Sequence, residues 1–179
     1  MFEKLELEPA IQRPDLIPAC VLALLRNWNG KTPVERVLVA PIDPEFSDSV
    51  QFCAKYEVPP ELGANCVVVE AVRGENRTLA ACLVPIHTRA DLNKTVKKLL
   101  DVKRVSFAPL PEVLELTGME FGGITPVGLP DAWSKLIDSR VVAMDQLIVG
   151  SGYRKSKLLV PGEFLAELPG VQVLENLGN

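Results

Sequence analysis

Apolar residues recur at spacings of three and four near the start of the chain, which is the pattern of one face of a helix. Between residues 14 and 28 they predict an amphipathic helix that tolerates Pro18 only in its first turn. Similar spacing predicts a second helix over residues 47–56, capped by Ser47 or Asp48. Further helices are expected from Thr88 or Asp91 to Leu100, over residues 111–116 and over residues 163–168.

Short apolar runs between these segments predict β-strands. The predicted strands cover residues 37–40, 66–72, 78–84, 105–107, 136–138, 147–149, 158–160 and 171–174. The second and third of them flank residues 73–77 and predict a β-hairpin with a five-residue turn. Because strands and helices do not alternate one for one, the pattern favours an α+β domain over a doubly wound parallel sheet.

Length and composition fit one globular domain. The chain has 179 residues, of which 47% are hydrophobic, and its longest apolar run, residues 19–25, is too short to cross a bilayer. The first residues interleave acids with apolar side chains and lack the basic start of a secretory signal. We therefore expect a soluble, cytoplasmic protein with no membrane partner.

The cysteines and the single histidine give little support for metal or triad chemistry. Cys20, Cys53, Cys66 and Cys82 form no Cys-x-x-Cys pair, and His87 is the only imidazole. A zinc site needs closely spaced ligands of these types, and a Ser-His-Asp triad needs a suitably placed histidine. We expect no metal and no cofactor, reduced thiols, and a structural role for His87 at a strand end or in a loop.

The net charge of −4 argues against indiscriminate binding of nucleic acid but allows a local basic face. Two groups of basic residues are candidates: Lys94, Lys97, Lys98, Lys103 and Arg104 in one, and Arg154, Lys155 and Lys157 in the other. Either group could be solvated surface or a contact with a phosphate backbone.

Residues 117–128 read Thr-Gly-Met-Glu-Phe-Gly-Gly-Ile-Thr-Pro-Val-Gly. Glycine lets a ligand approach the main chain, and proline fixes one dihedral angle, so such a segment can hold its N–H groups in a definite direction. The segment is thus either a rigid pocket wall or an ordinary surface loop between two strands.

Several segments in order resemble the YbaK/prolyl-tRNA synthetase-associated domain family. They are Leu79 to Pro85, Asp91 to Leu100, Val105 to Ala108, Thr117-Gly118, Gly122 to Gly128, Leu136-Ile137-Asp138 and Val149-Gly150-Ser151-Gly152. The resemblance covers about residues 47–174. It implies a mixed, mostly antiparallel, barrel-like sheet flanked by helices. It also divides the chain into an N-terminal helical extension, residues 1–46, packed on an editing domain, residues 47–179.

The resemblance further implies which residues form the site. The catalytic element would be the Gly-x-x-x-Pro loop Gly122, Gly123, Ile124, Thr125 and Pro126, with Thr125 adding a hydroxyl, together with Cys66. Substrate-binding positions would be Thr117, Gly118, Asp138, Gly150, Ser151 and Gly152. Candidates for contact with the tRNA backbone are Lys94, Lys97, Lys98, Arg154 and Lys155.

By this resemblance the chain would be a freestanding trans-editing deacylase that hydrolyses the ester of mischarged tRNA, with the acceptor end of that tRNA as partner. An aminoacyl-tRNA synthetase is a further partner that the resemblance allows. An aminoacyl ester is already reactive, so aligned N–H groups can assist its hydrolysis without a side-chain nucleophile. In some members the thiol of the substrate is thought to attack the ester.

One departure from the family keeps other interpretations open. Many members carry a lysine where this chain has Cys66, and a thiol cannot neutralise an anion as an ammonium does. The alternative is a non-hydrolytic binding module for aminoacyl-tRNA ends or nucleotide-like ligands, and a purely structural role is a third interpretation. Cys66 is either a nucleophile or a buried, inert thiol. Asp138 either caps a turn or lies in the pocket.

Overall fold

The computed structural model describes residues 2–179. Its strands are β1 (Glu8–Pro9), β2 (Leu38–Pro41), β3 (Ala64–Arg73), β4 (Asn76–Pro85), β5 (Arg104–Phe107), β6 (Ser134–Asp138), β7 (Leu147–Gly150), β8 (Ser156–Val160) and β9 (Val171–Leu174). Its α-helices are α1 (Ala19–Arg26), α2 (Ser49–Tyr56), α3 (Lys97–Leu99), α4 (Leu110–Thr117), α5 (Ser139–Val142) and α6 (Gly162–Ala166). A π-helical turn, Leu92–Val96, leads directly into α3.

The strands form two sheets. One has the order β1-β2-β8-β7 and is antiparallel throughout, and the other has the order β5-β3-β4-β6-β9, in which β6 runs parallel to both of its neighbours. A single bridge between Gly63 and Ile148 connects the sheets. The prediction of a mixed, mostly antiparallel α+β domain is confirmed. Over residues 2–179 the strands do not close into a barrel.

The hairpin that β3 and β4 form has a tighter turn than expected. Arg73 pairs with Asn76, so only Gly74 and Glu75 connect the strands, and the prediction of a five-residue turn was wrong. Gly74 has φ +63°, a conformation that glycine adopts without steric cost. β4 begins at Asn76, two residues earlier than expected, and its Arg77 guanidinium bonds the carboxylates of Glu70, on the neighbouring strand, and Glu112.

Two predicted helices differ from the observed ones. The N-terminal helix begins at Ala19, because Pro18 has extended dihedral angles and precedes the first turn. The predicted helix ending at Leu100 is the π-helical turn followed by the short α3. The Asp91 carboxylate caps this segment by accepting hydrogen bonds from the N–H groups of Lys94 and Thr95. The short elements β1 and α5 were not predicted.

The N-terminal segment contributes strands as well as a helix to the core. β2 pairs with β8 from Leu38 to Pro41, and β1 pairs with β2. Val21 and Leu25 of α1 are buried, and Trp28 packs on Phe164 with ring centroids 4.5 Å apart. In residues 2–179 no helix has the length and apolar character that a membrane span requires.

Candidate functional site

A cavity of about 410 Å³ opens where the two sheets meet the glycine-rich loop. Its wall combines the start of β3, the end of β5, the start of α4, the loop and the two strands β7 and β8. The residues that line it are Ser47, Asp48, Ser49, Ala64, Asn65, Cys66, Val67, Val68, Phe107, Ala108, Leu110, Val113, Phe121, Gly122, Ile124, Gly150 and Lys157. The cavity therefore has an apolar floor with a few polar groups, as small-molecule sites commonly do.

Main-chain hydrogen bonds fix the glycine-rich loop to the turn after β7. The Gly152 N–H donates to the Gly123 carbonyl at 2.7 Å, and the Glu120 N–H donates to the Gly152 carbonyl at 2.8 Å. A Cβ atom on Gly123 would lie 2.7 Å from the Tyr153 carbonyl oxygen, so only glycine allows this approach. The loop is thus a rigid wall, held from behind by backbone contacts.

Two residues of the loop, Gly122 and Ile124, lie on the cavity side. Neither of their N–H groups donates to a backbone or side-chain acceptor within residues 2–179, whereas the Gly123 N–H is used by the Glu120 carbonyl at 3.0 Å. Gly122 has φ +85°, which turns the main chain at this point. Two residues of the cavity wall thus have N–H groups that the protein does not use within residues 2–179, and such groups suit a negatively charged or carbonyl oxygen.

Lys157 brings an ammonium group into the same cavity from the middle of the four-stranded sheet. Lys157 is only 5% exposed, and its Nζ donates a hydrogen bond of 2.8 Å to the Ser47 carbonyl. The Nζ also lies 5.6 Å from the centroid of the Phe52 ring. Within residues 2–179 Lys157 forms no salt bridge.

Burial lowers the pKa of Lys157 from its ordinary value of 10.5 to about 8. The negative charge of Asp48 opposes this shift without cancelling it. Asp48 is occupied elsewhere, because its Oδ1 accepts the N–H groups of Val50 and Gln51 at the start of α2. The ammonium therefore occupies an apolar environment with one protein partner.

The family of aminoacyl-tRNA editing domains matches residues 43–168 of this sequence. The chain belongs to the aminoacyl-tRNA editing domain family. The resemblance to YbaK-type domains is thereby confirmed. A sequence search of the curated proteins found no match to this chain.

Solved structures with the same fold are distant in sequence from this editing domain. A hypothetical protein is 24% identical, with a TM-score of 0.67 over 80% of this chain and 91% of its own. A candidate trans-editing enzyme for prolyl-tRNA synthetase is 19% identical, with a TM-score of 0.69 over 89% and 97%. A scaffold protein used for computational epitope grafting is 19% identical, with a TM-score of 0.73 over 90% and 96%.

Cys66 lies in the cavity wall of the editing domain, as its position at the start of the hairpin suggested. Burial raises the pKa of its thiol well above the ordinary value, and the neighbouring Cys82 thiol adds to the shift. A thiol with a raised pKa stays protonated at neutral pH and is a poor nucleophile. The surroundings of Cys66 therefore favour an inert thiol over a reactive one.

Three residues of the predicted catalytic element, Gly123, Thr125 and Pro126, do not line the cavity. Thr125 is fully buried, and its Oγ1 accepts the Val127 N–H at 3.4 Å. Pro126 is buried next to it. The structure therefore places Gly122 and Ile124 at the cavity, Gly123 behind it, and Thr125 and Pro126 in the supporting turn.

Of the predicted substrate-binding residues, only Gly150 lines the cavity. Thr117 closes the end of α4, where its Oγ1 donates to the Val113 carbonyl and accepts the Met119 N–H. Gly118 caps that helix with φ +66°. Ser151 bonds Ser156, and these contacts support the turn that carries the loop.

Gly152 and Asp138 also lie outside the lining. Gly152 has φ +98° and packs against Pro18. Asp138 is fully buried and accepts hydrogen bonds from the Arg140 guanidinium, the Arg140 N–H and the Gly178 N–H. Burial alone would raise its pKa, but these donors outweigh burial and lower it. Asp138 therefore caps the start of α5.

The predicted tRNA-contacting residues all lie outside the cavity. Lys94, Lys97 and Lys98 are exposed on the π-helical turn and α3. Arg154 is anchored near the loop, where its N–H donates to the Glu120 carboxylate at 2.7 Å and its guanidinium to the Pro44 carbonyl. The exposed Lys155 lies over the Tyr153 ring, 5.3 Å from its centroid.

The rim of the cavity carries two exposed aromatic rings. Phe107, at the end of β5, is 68% exposed, and Phe121, in the loop, is 62% exposed. A second depression shares Asn65, Val67 and Phe107 with the cavity and continues toward Arg89. Apolar rings held in water beside a cavity are a frequent mark of ligand binding.

The sequence pattern did not predict that Ser47, Phe107, Phe121 or Lys157 would line the cavity. Lys157 was grouped with the basic surface, although a lysine inside the apolar run Ser156 to Val160 is itself a signal of a buried charge. The aromatic residues gave no signal, because exposure depends on tertiary packing. In residues 2–179 no group of three or more His, Cys, Asp or Glu side chains is arranged to hold a metal ion.

Proposed function

We propose that this editing domain is a trans-acting deacylase that hydrolyses the ester between a wrong amino acid and its tRNA. The observation that supports this proposal most directly is the cavity wall formed by Gly122 and Ile124, whose N–H groups have no acceptor within residues 2–179. An aminoacyl ester needs chiefly orientation and stabilisation of charge on its carbonyl oxygen. Because aminoacyl-tRNA is the proposed substrate, we expect the activity in the cytoplasm.

The reaction balances without a protein nucleophile. Water attacks the carbonyl carbon and forms a new C–O bond, while the carbonyl electron pair moves onto oxygen and gives a tetrahedral oxyanion. Collapse of this intermediate breaks the ester bond to the ribose oxygen, which takes up the proton that the attacking water loses through solvent. The products are the free amino acid and the tRNA hydroxyl. The loop N–H groups stabilise the oxyanion, and the inert Cys66 takes no covalent part.

The acceptor end of the tRNA would bind across the rim. An unpaired nucleobase stacks favourably on an exposed aromatic ring, and the ribose that carries the ester must lie next to the base. Phe107 and Phe121 place such rings at the mouth of the cavity. The aminoacyl group then enters the cavity, while the terminal base remains outside.

Basic residues near the rim would contact the phosphates. Arg89 lines the depression that continues from Phe107, and Lys94 follows on the exposed π-helical turn. Because the net charge of the chain is −4, we expect a few local phosphate contacts and no extended basic face. Delivery of the tRNA by a synthetase is compatible with this arrangement.

The test is a panel of tRNAs mischarged with alanine, serine or cysteine, incubated with the protein while loss of the ester is followed. The proposal expects faster loss for at least one member. The alternative, a binding module without hydrolysis, rests on Cys66 in place of a lysine. It would be favoured if a non-hydrolysable amide analogue, 3′-alanylamino-3′-deoxyadenosine, binds while no ester is lost. In that case Cys66→Lys should create activity in an inert parent.

A further inference from the structure

Lys157 is a buried, charged side chain at the cavity whose hydrogen-bonding capacity is largely unused within residues 2–179. An ammonium group has three N–H donors, and only one of them has a partner there, the Ser47 carbonyl. Leaving a charge in an apolar site without a counter-ion is costly, so proteins seldom keep one there without a reason. The unsatisfied donors border a cavity large enough for a ligand.

The position of Ser47 connects this ammonium to the glycine-rich loop. Its carbonyl accepts the hydrogen bond from Lys157, and its hydroxyl oxygen would lie 3.1 Å from a Cβ atom on Gly122. One residue thus contacts both the lysine and the loop. Lys157 and Gly122, which both line the cavity, consequently lie at the same end of it, on either side of Ser47.

A second buried lysine shows what a purely structural role looks like in this protein. Lys135 is 1% exposed, and its Nζ donates to the carbonyls of Pro130 and Trp133 at 2.9 and 3.2 Å. It closes a local turn and does not line the cavity. Lys157 has half as many protein acceptors and faces a space that a ligand can fill.

We propose that Lys157 binds the oxyanion of the tetrahedral intermediate together with the N–H groups of Gly122 and Ile124. This inference rests on the proposed deacylase function. The family resemblance implies a cation at the position of Cys66, on β3, whereas in this chain the cation at the cavity comes from β8, in the other sheet. The cavity thereby has a positive charge although Cys66 stands where many members of the family carry a lysine.

The role requires no transfer of the lysine proton. The ammonium stays protonated while negative charge develops on the carbonyl oxygen, and its attraction is strong because Lys157 is buried. The charge it faces is present in the intermediate and absent from the ester. Lys157 should therefore act on kcat more than on KM.

The first test compares Lys157→Met with Lys135→Met on the tRNA that the wild-type protein deacylates. Loss of one oxyanion donor costs about 100-fold to 1,000-fold in kcat, so we expect such a loss for Lys157→Met with little change in KM. Circular dichroism first confirms that Lys135→Met is folded. This variant should then keep the wild-type kcat. Unchanged kcat in Lys157→Met would overturn the proposal.

The second test needs no enzymatic activity and so separates failure of this proposal from failure of the deacylase function. Methylphosphonate is a small tetrahedral anion that imitates the charge and shape of the intermediate. In a ¹³C NMR titration of the lysine Cε resonances, it should shift Lys157 in a saturable manner and leave Lys135 unmoved. If Lys157 does not respond, or both lysines respond alike, the anion site does not exist, even in a protein that hydrolyses the ester.

Discussion

The Nζ of Lys157 donates a 2.8 Å hydrogen bond to the carbonyl oxygen of Ser47, and this is its only hydrogen bond within residues 2–179. The contact joins two parts of the chain that are distant in sequence, β8 and the residue that precedes Asp48, the N-cap of α2. It holds a positive charge beside the glycine-rich loop at a cost in stability. The protein should therefore become more stable when this charge is removed.

We expect Lys157→Met to raise the free energy of unfolding by about 1 to 2 kcal/mol at neutral pH. Lowering the pKa from 10.5 to about 8 corresponds to a penalty of about 3 kcal/mol. Loss of the hydrogen bond to Ser47 offsets about 1 to 2 kcal/mol of the gain. Urea denaturation of both proteins measures the difference, and a less stable variant would contradict the assignment of Lys157 as a strained charge.

The pH dependence of this difference has a definite sign. Below about pH 8, Lys157 is protonated in both the folded and the unfolded protein, so the penalty is full. Above about pH 8 the folded protein loses this proton before the unfolded chain does, and the advantage of Lys157→Met shrinks by about 1.4 kcal/mol per pH unit. Asp48 and Cys53 are the titratable groups that face Lys157, and both are kept in the two proteins that are compared. A difference that is constant from pH 7 to 9 would refute the shift.

Removing the Cys66 thiol tests whether it is a nucleophile. We expect Cys66→Ala to change kcat by less than about tenfold, because loss of a true nucleophile costs about 10⁶-fold. The thiol is held protonated by burial, so little reactive thiolate is present at neutral pH. Labelling with iodoacetamide should likewise be slow at Cys66 in the folded protein. Abolished hydrolysis in Cys66→Ala, with the fold intact, would restore the covalent mechanism.

The aromatic rim should control binding of the acceptor end. We expect Phe107→Ala and Phe121→Ala each to raise KM by about 5-fold to 150-fold, since stacking of one base is worth about 1 to 3 kcal/mol. The matched control is Leu116→Ala, because Leu116 is 55% exposed but does not line the cavity. Steady-state kinetics on the same tRNA measures all three. Equal effects at the rim and at Leu116 would rule out a stacking role.

The Asp138 carboxylate should stabilise the fold and leave the chemistry alone. Asp138→Ala removes a buried acceptor of the Arg140 guanidinium and the Gly178 N–H, which costs about 2 to 4 kcal/mol. Because its folded pKa is lowered below 3.8, its contribution is full above about pH 4 and is lost as the pH falls through the folded pKa. The exposed Asp145 provides the control, as Asp145→Ala.

The result that would assign Asp138 to the pocket is a different one. If kcat falls strongly in Asp138→Ala at a temperature where the variant is fully folded, the carboxylate acts on the substrate. Thermal unfolding followed by circular dichroism, measured beside the kinetics, separates the two outcomes.

The loop itself can be tested at a residue with a positive φ. Gly122→Ala should abolish most activity, because φ +85° is strained for alanine and its Cβ would lie 3.1 Å from the Ser47 hydroxyl oxygen. Gly74→Ala is the matched control, since Gly74 has φ +63° in the hairpin turn and no atom lies within 4 Å of the added Cβ. Both variants should lose about 1 to 2 kcal/mol of stability, but only Gly122→Ala should lose activity.

Much of the fold could be predicted because local signals agree with the tertiary structure. The Asp48 cap before α2, the apolar run of β3 and the glycine at position 74 each indicate their element without knowledge of its neighbours. The π-helical turn could not be predicted, because a pattern of apolar residues fits an α-helix as well. The parallel pairing of β6 with β4 depends on connections that periodicity does not reveal.

The site could be predicted only in part, because some of its residues come together through strand pairing that the sequence pattern does not reveal. The loop around Gly122 has a composition that directs attention to it, whereas Lys157 looks like one more residue of a basic segment. Its burial results from the pairing of β8 with both β2 and β7, which places position 157 between two strands and under α2. Thr125 and Ser151 illustrate the opposite case, because hydroxyls that look suited to a substrate bond their own turns instead.

The most direct test of the account is the rate at which stoichiometric protein releases the amino acid from tRNA mischarged with alanine, serine or cysteine under single-turnover conditions. The account predicts that at least one of these esters is lost faster than in buffer alone, and that Lys157→Met removes most of the acceleration. Ester loss at the buffer rate for every tRNA, from a protein shown to be folded, would contradict it.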